Sequence, residues 1–230
     1  MLQHGVQGLV IFDLDTEQEN QLVEQLQADF PSVKVLFLKV DVTEAEVVER
    51  AVDEVARLLG SVDILLSFAA TVCCVPALEV KPDQWRRTLD VNATGTFIVA
   101  QAVAKNMVAK GSGGSMIFIA SISGHTVSYP QPQAPYNVSK AAVLMLKSSL
   151  ASEWAVHGIR VNSISPGYMN TILNEGDGLE AARKIWANRT PMGRMGEREE
   201  LCGAVLLLAS NAGSYITGAD IVVDGGQTVL

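Results

Sequence analysis

Short apolar runs alternate with stretches of helical periodicity along almost the whole chain, and that alternation leaves few architectures open. Gly8–Phe12, Val33–Val40, Ile64–Ser67, Met116–Ala120, Ile159–Ile164 and Asp220–Val223 each read as a strand. Unbroken apolar runs, rather than alternation of apolar and polar residues, mark strands covered on both faces. Between them, Thr16 and Glu19 form a capping box for a helix to about Phe30, stopped by Pro31. Thr43 and Glu46 cap a second helix, whose Val48, Ala51, Val52, Val55 and Leu59 keep one face apolar until Gly60. Further helices are expected from Asp83 to Lys110, interrupted near Asn92, from Tyr136 to His157 with Gly158 closing it, and from Glu197 to Ser210. Strand–helix alternation of this kind predicts a single α/β domain over residues 1–230, a doubly wound parallel sheet with right-handed crossovers. Residues 168–196 mix Gly, Asn, Met and charges, and read as a mobile flap within it.

Composition removes several function classes. With 48% hydrophobic and 18% charged residues the chain is not disordered. A net charge of -8 argues against nucleic acid and anionic membrane surfaces, which require clustered Lys and Arg. The stretches 64–78 and 201–219 lack charges but are too short or too often interrupted by polar residues to span a bilayer. No secretory signal opens the sequence, and Cys73, Cys74 and Cys202 leave one thiol over in any disulfide scheme, so a reducing, cytoplasmic setting is expected.

In a doubly wound sheet, ligands sit at the carboxyl ends of the strands. The residues there are Asp13, Asp41, Ser67–Ala70, Ser121 and Pro166-Gly167. Asp13 has two readings: an acceptor for an adenosine ribose that would favour NAD over NADP, or a cap on its own turn, with Asp15 a neighbouring candidate. The segment Ser115–Lys140 brings together a hydroxyl, a phenol and an amine. Tyr136 and Lys140 stand four apart at a helix start and share a face, and Ser121 ends the preceding strand. Ser121 can polarise a carbonyl, Tyr136 can pass a proton, and the charge of Lys140 can lower a phenol pKa that is ordinarily about 10. His125, close to Ser121 and Ser123, lacks the strand-to-helix elbow of a serine hydrolase, and His4 and His157 lack ligand neighbours for a metal. Trp85, Trp154 and Trp186 suit the core or an interface.

The ordered motifs Asp41-Val42, VNATG with Asn92, Ser121 to Gly124, YNVSK at 136–140, RVNSISPG at 160–167 with Thr171 four beyond, and VVDGG at 222–226 resemble the short-chain dehydrogenase/reductase family. The likeness runs from about Gly8 to Gly226 and is nearest to fungal polyol dehydrogenases and ketose or carbonyl reductases. It implies a Rossmann-like fold and hydride transfer between a nicotinamide cofactor and a small alcohol or ketone. In that scheme Tyr136 is the general acid/base, Ser121 holds the substrate oxygen, Lys140 holds the nicotinamide ribose and Asn92 supports a water in the proton relay. Asp41, Val42, Asn92, Pro166, Gly167 and Thr171 would line the cofactor, and Ala69 stands in the stretch Ser67-Phe68-Ala69-Ala70 where the family has NNAG. The family assembles as dimers or tetramers through the helices at 92–110 and 136–157. Its first strand and TGxxxGxG turn have no counterpart here, roughly 30 residues, so the sheet is expected to lack its first strand and phosphate-binding turn. Such a chain is either an enzyme or a non-catalytic remnant acting as an interaction subunit. Substrate identity is expected in the flap, from Met169, Met192 and Met195 with Asn170, Asn174 and Glu175.

Overall fold

A computed structural model describes residues 1–14, 16–171, 174 and 178–229, the side chains of Thr16 and Gln18 excepted. The elements follow in the order β1 (Gly8–Asp13), α1 (Thr16–Asp29), β2 (Lys34–Lys39), α2 (Ala45–Leu59), β3 (Ile64–Ser67), α3 (Pro82–Leu89), α4 (Thr96–Lys110), β4 (Gly114–Ile119), α5 (Ala134–Trp154), β5 (Ile159–Pro166), α6 (Glu180–Arg189), α7 (Cys202–Ala209) and β6 (Asp220–Val223). Every strand pair is parallel, as the unbroken apolar runs require. The Thr16 side chain of the expected capping box is outside what the structure describes. At α2 the expected cap is replaced: the helix starts after Glu44, while the Thr43 N–H and hydroxyl both donate to the Asp41 carboxylate, at 2.9 and 2.6 Å. The carboxylate competes successfully for the hydroxyl, so the turn is closed by Asp41 rather than Thr43. The last helix is shorter than expected, because Arg198–Leu201 winds as a 3-10 turn before α7.

The strands form two sheets, β1-β2 and β3-β4-β5-β6. Among the described residues, no strand joins β1 to β3. Burial follows this division. Met116, Ile117 and Phe118 of β4 are fully buried, whereas Leu9, Val10, Ile11 and Phe12 of β1 and Ile64, Leu65 and Leu66 of β3 are only half-buried despite equal apolarity. Complete burial of such a side chain contributes about 1.5–3 kcal/mol, so β1 and β3 hold stabilisation in reserve. What unites the two sheets is a helical layer. Val48, Ala51 and Val52 of α2, Val99, Val103 and Met107 of α4, and Val143 and Leu150 of α5 share one core with Met116, Phe118 and Val161, against which Phe12 and Leu38 also pack. A smaller cluster on the opposite face sets Ile117 and Ile164 against Leu208 of α7.

A two-stranded parallel pair, each strand bonded on one side only, opens more readily than a strand paired on both sides. Amide protons of β1 and β2 are therefore expected to exchange at least about tenfold faster than those of β4 and β5 in native-state hydrogen exchange. Equal protection across all six strands would show that the two sheets open as one unit.

Candidate active site

The site begins where β4 ends. Ser121 takes up an extended conformation, and its Oγ accepts the N–H of Ser123 at 3.1 Å. With one lone pair committed to the backbone, the hydroxyl proton of Ser121 is left for another acceptor. A 3-10 turn, Ile122–Gly124, then lays the chain on α5. A Cβ at Gly124 would stand 2.9 Å from the Lys140 carbonyl carbon and 3.0 Å from the Ala141 nitrogen, so only glycine lets this turn touch the helix backbone beside Lys140.

Helix α5 starts two residues before Tyr136, with Pro135 in its first turn. Pro fits there because its missing N–H has no helical partner. Tyr136 and Lys140 come one turn apart, as expected, with the Lys140 Nζ 5.6 Å from the ring centroid. Lys140 is 3% exposed and donates to the Ile119 carbonyl at 2.7 Å. Burial without a carboxylate partner lowers its pKa from 10.5 to about 8. The phenol of Tyr136 is pushed above its ordinary value, first by burial, against which the Ser121 hydroxyl acts by hydrogen bonding; Tyr168 and Cys74 push it up further. The direction is opposite to the lowered phenol pKa expected from the spacing alone, and burial is its largest cause.

Asn92 lies in a π-helical turn, Asp90–Gly95, between α3 and α4, which is the interruption the sequence announced. Its side chain is fully buried. Oδ1 accepts the Thr71 N–H at 2.7 Å, and Nδ2 donates to the Thr71 carbonyl at 2.9 Å and to Ser139 Oγ at 2.8 Å. Ser139 in turn donates to the Tyr136 carbonyl at 2.7 Å. Asn92 thereby clamps the loop after β3 to the turn that carries the phenol.

The residues expected to line a cofactor are distributed over both sheets. Pro166 ends β5, and the Gly167 N–H donates to Val223 at 2.9 Å. A Cβ at Gly167 would fall 2.9 Å from Asp224. Thr171 is half-buried, and its carbonyl accepts the Asn174 N–H. Ala69 is exposed beyond β3. Asp41 is committed to Thr43, which holds its carboxyl below the usual range. Val42 packs toward Gly95, where a Cβ would come within 2.6 Å of it. Asp13 accepts the Leu14 N–H at 2.6 Å; Asp15 lies outside the described residues.

Two residues that act on the phenol, Cys74 and Tyr168, carried no separate signal in the sequence, nor did Gln133, which accepts from the Cys74 thiol. Tyr168 stacks on Trp186 at 4.3 Å and 8°, and the Trp186 indole donates to Gln131 at 3.1 Å. This ties the segment 168–196 to the loop before α5. Met169 and Met195 are buried and Met192 is exposed. Asn170 and Asn174 bond within the segment or to Glu197, and Glu175 lies outside the described residues. His125 does not approach Ser121 or Ser123. Its Nε2 faces both Asp220 at 2.9 Å and Ser165 at 3.1 Å, and a single ring nitrogen shared by both partners supports no Ser-His-Asp relay. No group of three or more His, Cys, Asp or Glu suited to a metal occurs among the described residues.

The family described as Enoyl-(Acyl carrier protein) reductase matches residues 1–228. An NADP-dependent mannitol dehydrogenase of Hypocrea jecorina is 38% identical over 224 residues, covering 97% of this chain and 83% of the relative. A sorbose reductase of Candida albicans is 41% identical over 198 residues, covering 85% and 70% respectively. The crystal structure of a short-chain type dehydrogenase/reductase from Mycobacterium marinum superposes with a TM-score of 0.91 at 39% identity, over 96% of this chain and 85% of that one. The chain belongs to the short-chain dehydrogenase/reductase family. Its YNVSK segment therefore sits in a family context, and the buried amine of Lys140, bonded to the Ile119 carbonyl, is held at a cost in stability.

The sign of that cost follows from linkage. Because the folded pKa of Lys140, about 8, lies below its ordinary 10.5, the unfolded chain binds more protons between these values. The penalty is complete below about pH 8 and is relieved as pH rises toward 10.5. Lys140→Met is expected to stabilise the protein at pH 7 by up to about 3 kcal/mol and to remove this part of the rise. Urea unfolding at pH 7 and 9.5 checks it; an unchanged or lower stability at pH 7 would contradict it.

Proposed function

We propose that the protein is a nicotinamide-dependent oxidoreductase that interconverts a secondary alcohol and a ketone on a small polyol or ketose. One observation carries this reading: Ser121, with its proton uncommitted to the backbone, acts on the same phenol that is seated one turn from the buried amine of Lys140. The mannitol and sorbose activities in the names of the relatives support the substrate class. The non-catalytic alternative is not favoured, since a remnant would have no reason to keep a buried lysine and a polarised tyrosine together.

A bound nicotinamide would supply or accept the hydride. The chain's own residues hold the oxygen and move the proton. Ser121 donates its hydroxyl hydrogen to the substrate oxygen, and Tyr136 delivers its phenolic proton to that oxygen in reduction and takes it back in oxidation. Lys140, with one N–H on Ile119, has two more for the cofactor ribose. Asn92 acts from behind, by fixing Thr71 and Ser139, as its side chain is already bonded.

The residues fit such a cofactor at one end. Lys140, Pro166, Gly167 and Thr171 surround the carboxyl ends of β4 and β5 for the nicotinamide and its ribose. Asp13, Asp41, Val42 and Ala69 are proposed for the adenosine side. No glycine-rich turn leading into a helix N-terminus stands between β1 and β3 among the described residues to hold a pyrophosphate, and we assign that gap to a further strand of the family's sheet. The preference for NAD read from Asp13 lacks support, because the Hypocrea jecorina relative is NADP-dependent by name. NADP is the cofactor we assign.

The described residues include no helix long and apolar enough to cross a membrane, and the three cysteines are free thiols. Phe97 and Val108 of α4 and Val138 and Met145 of α5 are exposed, a surface suited to a second copy of the chain in a dimer or tetramer.

Two measurements test the proposal. Tyr136→Phe should lower ketose reduction at millimolar NADPH by at least about 100-fold while leaving the melting temperature unchanged; an unaffected rate removes the phenol from the chemistry. Titration with 1 mM NADP should raise the melting temperature of this 230-residue chain by less than about 2 °C, and a rise above about 5 °C would show that the pyrophosphate end is held after all.

A further inference from the structure

Asp220 opens β6 with a carboxylate whose side chain is only 12% exposed, and no lysine or arginine bridges it among the described residues. Such a group is costly unless its oxygens are bonded. Oδ1 accepts the hydroxyls of Ser163 at 2.5 Å and Ser165 at 3.0 Å, two fully buried residues of β5. Oδ2 faces His125 Nε2 at 2.9 Å. The serine bonds join neighbouring strands, whereas the histidine bond joins β6 to the chain that has just left the Ser121 turn.

Counting protons fixes the part His125 plays. Ser165 commits its one hydroxyl proton to Asp220, and its oxygen stands 3.1 Å from His125 Nε2. A carboxylate and a hydroxyl so committed can only accept. Nε2 therefore carries a hydrogen and is shared as a donor between the two, so the ring acts as a strap rather than a base.

The strap reaches Ser121 through two backbone bonds. The His125 N–H donates to the Ile122 carbonyl and the Gly124 N–H to the Ser121 carbonyl, each at 2.9 Å, which makes Ser121 to His125 one short turn. On its other side the turn meets the backbone of α5 at Gly124. That contact excludes overlap but sets no direction, whereas hydrogen bonds are directional.

We propose that His125 is a positioning residue for Ser121: bonded to Asp220 and Ser165, it fixes the turn so that the Ser121 hydroxyl donates to the substrate oxygen. The inference rests on the oxidoreductase reading above, and His125 itself touches neither substrate nor cofactor. A displacement of about 1 Å in such a donor can cost about 100-fold in rate. Because the donor acts where charge develops, the loss falls on kcat more than on KM.

The test is a set of substitutions assayed by sorbose reduction at millimolar NADPH. His125→Phe keeps a ring and loses the donor, and should lower kcat at least about 10-fold with KM for sorbose changed less than about threefold. His125→Gln, which keeps a donor of similar reach, should stay within about threefold of the intact protein. In a Ser121→Ala background His125→Phe should lower the residual rate by less than about twofold, because it acts through the hydroxyl already removed. A loss of the same factor with and without Ser121 marks general damage to the fold and overturns the proposal. Equal turnover of His125→Phe and His125→Gln overturns it too, whatever the rate of Ser121→Ala. Absence of sorbose turnover in the intact protein overturns the ketose reading and this inference with it.

Discussion

The arrangement of the site depends on one buried carboxamide. Asn92 satisfies both the N–H and the carbonyl of Thr71 and the hydroxyl of Ser139, three bonds from a side chain with no solvent exposure. Each bond made in the interior is modest in net terms, but leaving any of these groups unpaired there would cost its full desolvation. The clamp therefore acts as a constraint more than as a source of stability. It sets where the chain leaving β3 can run, and through Ser139 it sets the first turn of α5 and thus the backbone of Tyr136. The π-helical turn that houses Asn92 is the local distortion through which the side chain reaches both partners.

Around this clamp the protein gives up stability to keep a buried phenol and a buried amine together. Lys140 is buried on a backbone carbonyl, without a carboxylate, and Tyr136 is pushed by burial toward its neutral form. Both effects come from the same low-dielectric surroundings, which strengthen any charge that develops during reaction as much as they penalise charge at rest. The buried core on α2, α4 and α5 offsets these costs. The half-buried strands β1 and β3 contribute less to it, so stability is concentrated in the half of the molecule that carries the phenol and the amine.

Much of this was legible in the chain itself. Parallel strands followed from unbroken apolar runs, and the break near Asn92 from the end of a helical pattern. The Tyr136 and Lys140 pairing followed from their spacing, and the turn at Ser121 from where the apolar run stops. Side-chain commitments were less legible. Thr43 was expected to cap α2 and bonds Asp41 instead; Asp13, open between ribose and turn, bonds the Leu14 N–H. In both cases several acceptors compete within a few residues, and the winner depends on backbone angles that composition does not reveal. Gln133, Cys74 and Tyr168 gave no signal because they come from separate segments, 133 from the helix start, 74 from beyond the Asn92 clamp and 168 from the end of β5.

Sequence by itself determined the class of fold, the family and which hydroxyl, phenol and amine lie close together at the end of β4 and the start of α5, because each rests on local periodicity or short spacing. Tertiary structure alone decided how charged and how accessible those groups are. Burial is the largest influence on the Tyr136 phenol; Asn92 spends its hydrogen bonds on the scaffold; and the sheet divides between β1 and β3. Each of these outcomes is a balance among residues far apart in the chain, and desolvation and hydrogen-bond competition act only once folding has brought them together.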